Sequence, residues 1–188
     1  MLNSRELDPG CVMKPCRDAL ALADTLQQFG LRIVFAESCT AGLLAASLGA
    51  VEGISNYLCG SAVSYRERTK IDWLDVDPVS LANQTAVSQQ VAEEMVRGVL
   101  QRTPEAHVAA ATTGHLGPGA PPAQDGVVFI SVAQRTPNGI LVEVSRVQLK
   151  TQSRDARQDE AVSCAFGCVQ EMLSQAPDLG LLCDGLVV

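Results

Sequence analysis

The sequence predicts an α/β fold, a single-domain layered structure with a mixed β-sheet flanked by helices. Three observations lead there. Segments with apolar residues at helical spacing alternate with single short apolar runs across the first two thirds of the chain. Two longer runs of alternating apolar and polar residues then flank Pro137-Asn138-Gly139, a hairpin signal that adds an antiparallel pair. The chain has 188 residues, which suits one domain with a full core, and it carries no internal repeat.

Residues 1–15 lack periodicity and are read as an N-terminal extension, residues 16–175 as the domain, and residues 176–188 as a short apolar C-terminal tail. From Cys16 to Phe29 the residues Leu20, Ala23, Leu26 and Phe29 recur at helical spacing, and Gly30 is a suitable stop. Leu31 to Ala36 is a short β-type run. The helix that follows, Leu43 to about Val51, has little charge and is expected to be buried on more than one side. Glu52-Gly53 breaks it. Tyr57 to Tyr65 reads as a second strand, Arg66 to Leu74 as a short helix, and Asp77-Pro78 as the start of a turn. Ser88 is the expected N-cap of an amphipathic helix carrying Val91, Met95, Val96, Val99 and Leu100, and Pro104 ends it. Val108 to Ala111 is a buried strand leading into a Gly-rich loop that runs to Gly126. Val127 to Gln134 and Ile140 to Leu149 form the hairpin, and a helix from about Arg154 to Ser174 closes the fold.

Composition removes several function classes. Hydrophobic residues make up 47 % of the chain and aromatics only 4 %, so Ala, Val, Leu and Ile are expected to build the core. A formal charge of −7 argues against a nucleic-acid groove, and the one basic cluster, Arg66-Glu67-Arg68-Thr69-Lys70, is interrupted by an acid. No apolar run approaches the ~20 residues of a membrane span. Residues 1–9 carry charge where a secretory signal needs an apolar segment, so a cytoplasmic protein is expected. The seven cysteines, at 11, 16, 39, 59, 164, 168 and 183, are scattered and odd in number, which fits buried free thiols better than disulfides. Neither Cys164 and Cys168 nor the two histidines have zinc spacing, and no metal or other cofactor is expected.

Three loops lie at the C-terminal ends of predicted strands, the edge where open α/β sheets bind ligands. The first, Ala36-Glu37-Ser38-Cys39-Thr40-Ala41-Gly42, offers two hydroxyls ahead of a helix start. There a hydroxyl either caps the helix or acts as a nucleophile beside an anion-binding turn. The second offers Tyr65 and Lys70. A lysine desolvated in a pocket can lose its charge and serve as a base, although each residue also reads as an ordinary surface side chain. The third holds Thr112 and Thr113, then Gly114, Gly117 and Gly119, whose amides can approach a phosphate or an oxyanion closely. It is neither a P-loop nor a dinucleotide fingerprint. Arg154 and Arg157 stand at the start of the last helix, where its dipole disfavours cations, and this favours an anionic partner. His115 is the only candidate for a Ser-His-Asp arrangement, and it lies within the glycine loop.

At these loops the sequence resembles the CinA C-terminal domain family, whose active members are nicotinamide-nucleotide amidases. The family's AESCTGG motif appears as Ala36 to Gly42. Its VTYSNEAK segment is similar to Val63-Ser64-Tyr65-Arg66-Glu67-Arg68-Thr69-Lys70. Its GAVS helix start matches Ala86-Val87-Ser88 after Thr85, and its TGIAGPGG loop matches Thr113 to Ala120. The similarity runs in one order from about Cys16 to Ser174.

The resemblance implies hydrolysis of the carboxamide of nicotinamide mononucleotide, giving nicotinate mononucleotide and ammonia, with no metal or redox cofactor. Carried over by position, Ser38 would be the nucleophile and Lys70 the base, with Tyr65 assisting. Thr40, Gly42, Thr113, Gly114, Gly117 and Gly119 would hold the phosphate or the developing oxyanion, and Arg154 would help with the anion. The expected partner is a small-molecule nucleotide, with neither nucleic acid nor membrane, in a homo-oligomer. The alternative is a catalytically silent member that binds a nucleotide or a protein. The chain departs from the family pattern at Ala41, which stands for the first motif glycine, at Arg66-Glu67, which stands for Ser-Asn, and at His115, which stands for an aliphatic residue. Ala123-Gln124-Asp125-Gly126-Val127 stands for Lys-Pro-Val-Gly-Thr. The large domain that often precedes this one has no counterpart, so a stand-alone, divergent member is expected.

Overall fold

The computed structural model describes residues 15–175. The expected tail, nearly all of the expected N-terminal extension, and Cys11 and Cys183 lie outside the described residues. Helix α1, Arg17–Phe29, ends at Gly30 in the left-handed conformation, and strand β1, Ile33–Glu37, follows. Next come α2, Leu43–Gly49, β2, Leu58–Val63, and α3, Glu67–Leu74. Then α4, Pro78–Gln84, and α5, Gln89–Arg102, lead into β3, Val108–Gly114. The hairpin β4, Val127–Thr136, and β5, Gly139–Gln148, precedes α6, Arg154–Gln175.

The five strands lie in the order β2-β1-β3-β4-β5. The first three are parallel, and β4 and β5 are antiparallel additions, so the sheet is mixed as expected. Strand alternation sorts the core into two layers. Ile33, Phe35, Val108 and Ala110 face α1, α2 and α6, while Val34, Ala36, Ala109 and Ala111 face α3, α4 and α5. Phe35 and Phe166 make a tilted ring contact at 6.2 Å between centroids on the first side. On the second side α5 passes so close to α3 that a Cβ on Gly98 would lie 1.9 Å from the Leu74 carbonyl oxygen. That glycine fixes how closely α3, the helix of Lys70, lies against α5.

Two expectations are corrected. The turn expected at Asp77-Pro78 opens a helix: the Asp77 carboxylate accepts from the Val79 amide, and Pro78 occupies the first turn, where its missing N–H costs nothing. The strand expected to end at Ala111 continues through Gly114, pairing Thr112, Thr113 and Gly114 with Ile130, Phe129 and Val128. Gly114 is therefore a ladder residue. A Cβ there would fall 2.7 Å from both the Val127 oxygen and Val128 Cγ2, which explains a glycine by close strand packing.

The first loop is capped in an unexpected way. Neither Ser38 nor Thr40 caps α2 with its side chain. The cap is Glu37, fully buried at the end of β1. Its Oε2 accepts from Thr40 Oγ1 (2.8 Å), the Gly42 amide (2.9 Å) and the Leu44 amide (3.0 Å), and its Oε1 accepts from the Ala45 amide (3.1 Å) and Ser61 Oγ (2.8 Å).

Two residues that stand where the resembled motifs have glycine keep positive φ: Ala41 at 53° and Thr85 at 66°. Thr85, with ψ 166°, occupies a region almost reserved for glycine. Ala41→Gly is expected to stabilise the protein by about 0.5–1 kcal/mol and Thr85→Gly by about 1–2 kcal/mol, read from denaturant midpoints. Glu37→Gln should cost about 2–4 kcal/mol in the same measurement, because whichever oxygen becomes an NH2 then faces at least two N–H or O–H donors.

Candidate active site

Ser38 follows β1 directly. Its amide donates to the Thr112 carbonyl (3.0 Å), which pins the turn to β3, and its carbonyl accepts from the Ala41 amide. Its side chain is almost wholly enclosed, at 9 % exposure, yet borders a cavity of about 260 Å3. Lys70, 1 % exposed, reaches it from α3: Nζ lies 2.7 Å from Ser38 Oγ and 2.5 Å from the Ser64 carbonyl oxygen. As an ammonium the lysine donates to both oxygens. As a neutral amine it keeps one N–H on Ser64 and turns its lone pair to the Ser38 hydroxyl.

Burial favours that neutral form. It lowers the Lys70 pKa from 10.5 to about 8, against a smaller opposing influence from Cys39 and Glu67. The neighbouring Cys39 moves the other way, its thiol pushed up to about 12 by burial, so it stays protonated beside Ser38.

The same cavity is bordered by Tyr65, Thr113, Gly114, Gly117, Gly119 and Arg154, so the ends of β1, β2 and β3 and the start of α6 meet at one place. Their contacts differ from simple expectation. The Tyr65 hydroxyl accepts from Arg154 Nη2 (2.9 Å) and is not among the partners of Lys70. Arg154 Nη1 donates to the Gly117 carbonyl (2.8 Å). The Thr113 hydroxyl donates to the Ala86 carbonyl (2.6 Å). Thr40 and Gly42 do not border the cavity: Thr40 is fully buried between Glu37 and Thr112, and Gly42 is the backbone cap of α2. Ala41 also lies outside the lining, so its methyl does not narrow the cavity.

Two residues escaped the sequence reading. Glu37, within the quoted motif, had no role assigned, and the signal was a carboxylate at the end of an otherwise apolar strand, just ahead of a helix start. Asp125 holds the Arg157 guanidinium by a two-pronged pair (2.8 and 2.7 Å) that keeps the Asp125 carboxyl below its usual range. The anionic partner inferred for Arg157 is thus internal, and this pair braces the far side of the glycine loop, where Gly117 and Gly126 lie against the guanidinium. Among the described residues no group of three or more His, Cys, Asp or Glu could hold a metal ion, and no helix is long and apolar enough to cross a membrane.

Comparison with known proteins adds a family context. Residues 18–173 match the CinA C-terminal domain. A CinA-like protein of Myxococcus xanthus is 35 % identical over 159 residues, covering 85 % of this chain and 37 % of the relative. One of Mycolicibacterium paratuberculosis is 36 % identical, covering 78 % and 34 %. The chain thus spans about a third of the length of the curated relatives it matches. Among solved structures, the competence-damaged protein (CinA) superfamily protein from Klebsiella pneumoniae 700603 superimposes with a TM-score of 0.78 at 28 % identity, covering 85 % of this chain and 97 % of that one. The competence/damage inducible protein CihA from Agrobacterium tumefaciens does so with 0.76 at 32 % identity, covering 91 % and 100 %.

The lysine has a pH signature in stability. Its pKa is 10.5 unfolded and about 8 folded, so between these values the unfolded chain binds more protons, and stability rises with pH across that window. Below pH 8 the penalty of the buried ammonium is fully present. Lys70→Met removes it, and the variant's denaturation free energy is expected to lose this rise between pH 8 and 10.5.

Proposed function

The chain belongs to the CinA C-terminal domain family, and from that premise we propose that it is an amidohydrolase acting on the carboxamide of nicotinamide mononucleotide. The observation that carries the reading is the enclosed Ser38–Lys70 pair, with 2.7 Å between hydroxyl oxygen and amine. A serine hydroxyl is a weak nucleophile until a base takes its proton, and a lysine held near pKa 8 is a competent base at neutral to mildly alkaline pH.

In this reading, neutral Lys70 takes the Ser38 proton as Oγ attacks the carboxamide carbon. The carbonyl oxygen becomes an oxyanion. The backbone N–H of Cys39, which borders the same cavity beside Ser38, is the donor we assign to it. Lys70, now an ammonium, returns its proton to the amide nitrogen, the C–N bond breaks, and ammonia leaves an acyl ester on Ser38. Water, deprotonated by the same lysine, then cleaves the ester and releases nicotinate mononucleotide. The Gly117 and Gly119 amides and Arg154 are assigned to the substrate's anionic group.

Ammonia release from nicotinamide mononucleotide tests the proposal directly. Ser38→Ala and Lys70→Ala are each expected to reduce kcat by at least about 1,000-fold. Turnover that survives both substitutions sinks the mechanism, and a wild-type protein that releases no ammonia sinks the activity. The acid limb of kcat/KM should fall tenfold per pH unit below an apparent pKa near 8, since the protonated amine cannot accept the Ser38 proton.

A further inference from the structure

Lys70 has to carry a proton in a place with few acceptors. Its amine is hydrogen-bonded to Ser38 Oγ and to the Ser64 carbonyl oxygen, whereas the ammonium it becomes on taking the Ser38 proton has three N–H donors. We propose that the Ser64 hydroxyl, turning about its Cα–Cβ bond, accepts the third, which makes Ser64 a positioning residue for the Ser38–Lys70 pair. The kinetic form of this inference rests on the amidase reading; its titration form rests on the buried lysine alone.

Ser64 stands between the end of β2 and Tyr65 and is fully buried. Its backbone is fixed on both sides. The amide donates to the Glu37 carbonyl (2.8 Å), and the carbonyl accepts from Lys70 Nζ (2.5 Å). The side-chain Oγ, by contrast, is shut off from solvent and has no hydrogen-bond partner among the described residues. An unpaired buried hydroxyl carries a desolvation cost that no contact offsets, so a donor brought beside it gains more than it would from an oxygen already engaged. In every staggered rotamer a serine Oγ stays within about 5 Å of its own carbonyl oxygen, here the atom that Nζ touches. One bond rotation is the motion the contact needs.

The other nearby groups do not fill this place. The Tyr65 hydroxyl, the expected helper, is engaged by Arg154 Nη2 at 2.9 Å, and Tyr65 is 55 % exposed. The titratable groups that act on the charge of Lys70 are Cys39, in the turn after β1, and Glu67, three residues earlier on α3. The Cys39 thiol stays protonated, Glu67 is exposed, and neither is hydrogen-bonded to Nζ. An ammonium N–H on a hydroxyl oxygen makes a charge-assisted bond, about twice as strong as the one a neutral amine makes. The contact therefore favours the charged lysine and strengthens Lys70 as a base at the step where the Ser38 O–H bond breaks and the new N–H bond forms.

The test is Ser64→Ala, followed by ammonia release from nicotinamide mononucleotide across about pH 6 to 10. Above about pH 9, kcat/KM is expected to fall about tenfold, and the acid limb to move down by about one pH unit. Below about pH 7 the loss should shrink to within about threefold, because resting lysine and transition state then both carry the proton and are weakened alike. A loss of equal size at every pH with the limb unmoved, or no loss, overturns the assignment. The denaturant midpoint at about pH 10, where the lysine is largely neutral, is expected at or above wild type, since alanine removes an unpaired polar group. A midpoint well below wild type shows the hydroxyl holding the fold and overturns the assignment too. If the wild-type protein releases no ammonia, the amidase reading falls, and Ser64 is judged by the titration of Lys70 itself, read by NMR from carbon-13 at lysine Cε. The chain has three lysines, and Lys70→Met identifies the signal. A Lys70 pKa about one unit lower in Ser64→Ala than in wild type supports the contact, and equal values overturn it.

Discussion

The fold and the site both hang on one buried carboxylate. Glu37 collects five hydrogen bonds, three from the first turn of α2 and its cap, one from Thr40 and one from Ser61 on β2. An enclosed charge of this kind persists only if every lone pair finds a donor. The arrangement therefore dictates how the chain leaves β1, where α2 starts, and how the Thr40 hydroxyl meets Thr112. Ser38 is the next residue. Its position is a consequence of the turn that wraps the carboxylate, and the Glu37 carbonyl holds the Ser64 amide on the other side.

That second contact links the two halves of the proposed catalytic pair. Ser64 is held by Glu37 through its amide and receives Lys70 through its carbonyl, so β1 and the start of α3 share a support. Gly98 then decides how closely α3 can lie against α5. The lowered pKa of Lys70 comes from this packing, which removes water from the amine and leaves no carboxylate hydrogen-bonded to it. Around this rigid centre the outer wall is looser chemistry: Arg154 and Tyr65 are exposed, and the glycine loop is braced from behind by Arg157 and Asp125.

Backbone strain persists at two positions beside this machinery. Ala41 and Thr85 hold left-handed φ values without being glycine, and Thr85 precedes Ala86, whose carbonyl takes the Thr113 hydroxyl. A conformation that local energetics disfavour survives because the surrounding contacts over-determine it. At Ala41 those contacts are the ones made to Glu37 by its neighbours Thr40 and Gly42.

What the sequence by itself determined was what local chemistry controls. The apolar periodicity set the order of helices and strands, Gly30 and Ser88 marked helix ends, and the Pro137-Asn138-Gly139 turn marked the hairpin. Short elements with weak periodicity were less legible: α4 has two buried side chains among seven residues, and the last turns of β3 hid in a glycine-rich stretch. Only the tertiary structure decided the contacts that make a site. Ser38 and Lys70 are 32 residues apart, Thr40 and Thr112 are 72 apart, and Tyr65 and Arg154 are 89 apart. No local propensity encodes such meetings, because each depends on how whole layers pack, and the partner a polar side chain takes is settled by what remains beside it once water has been excluded.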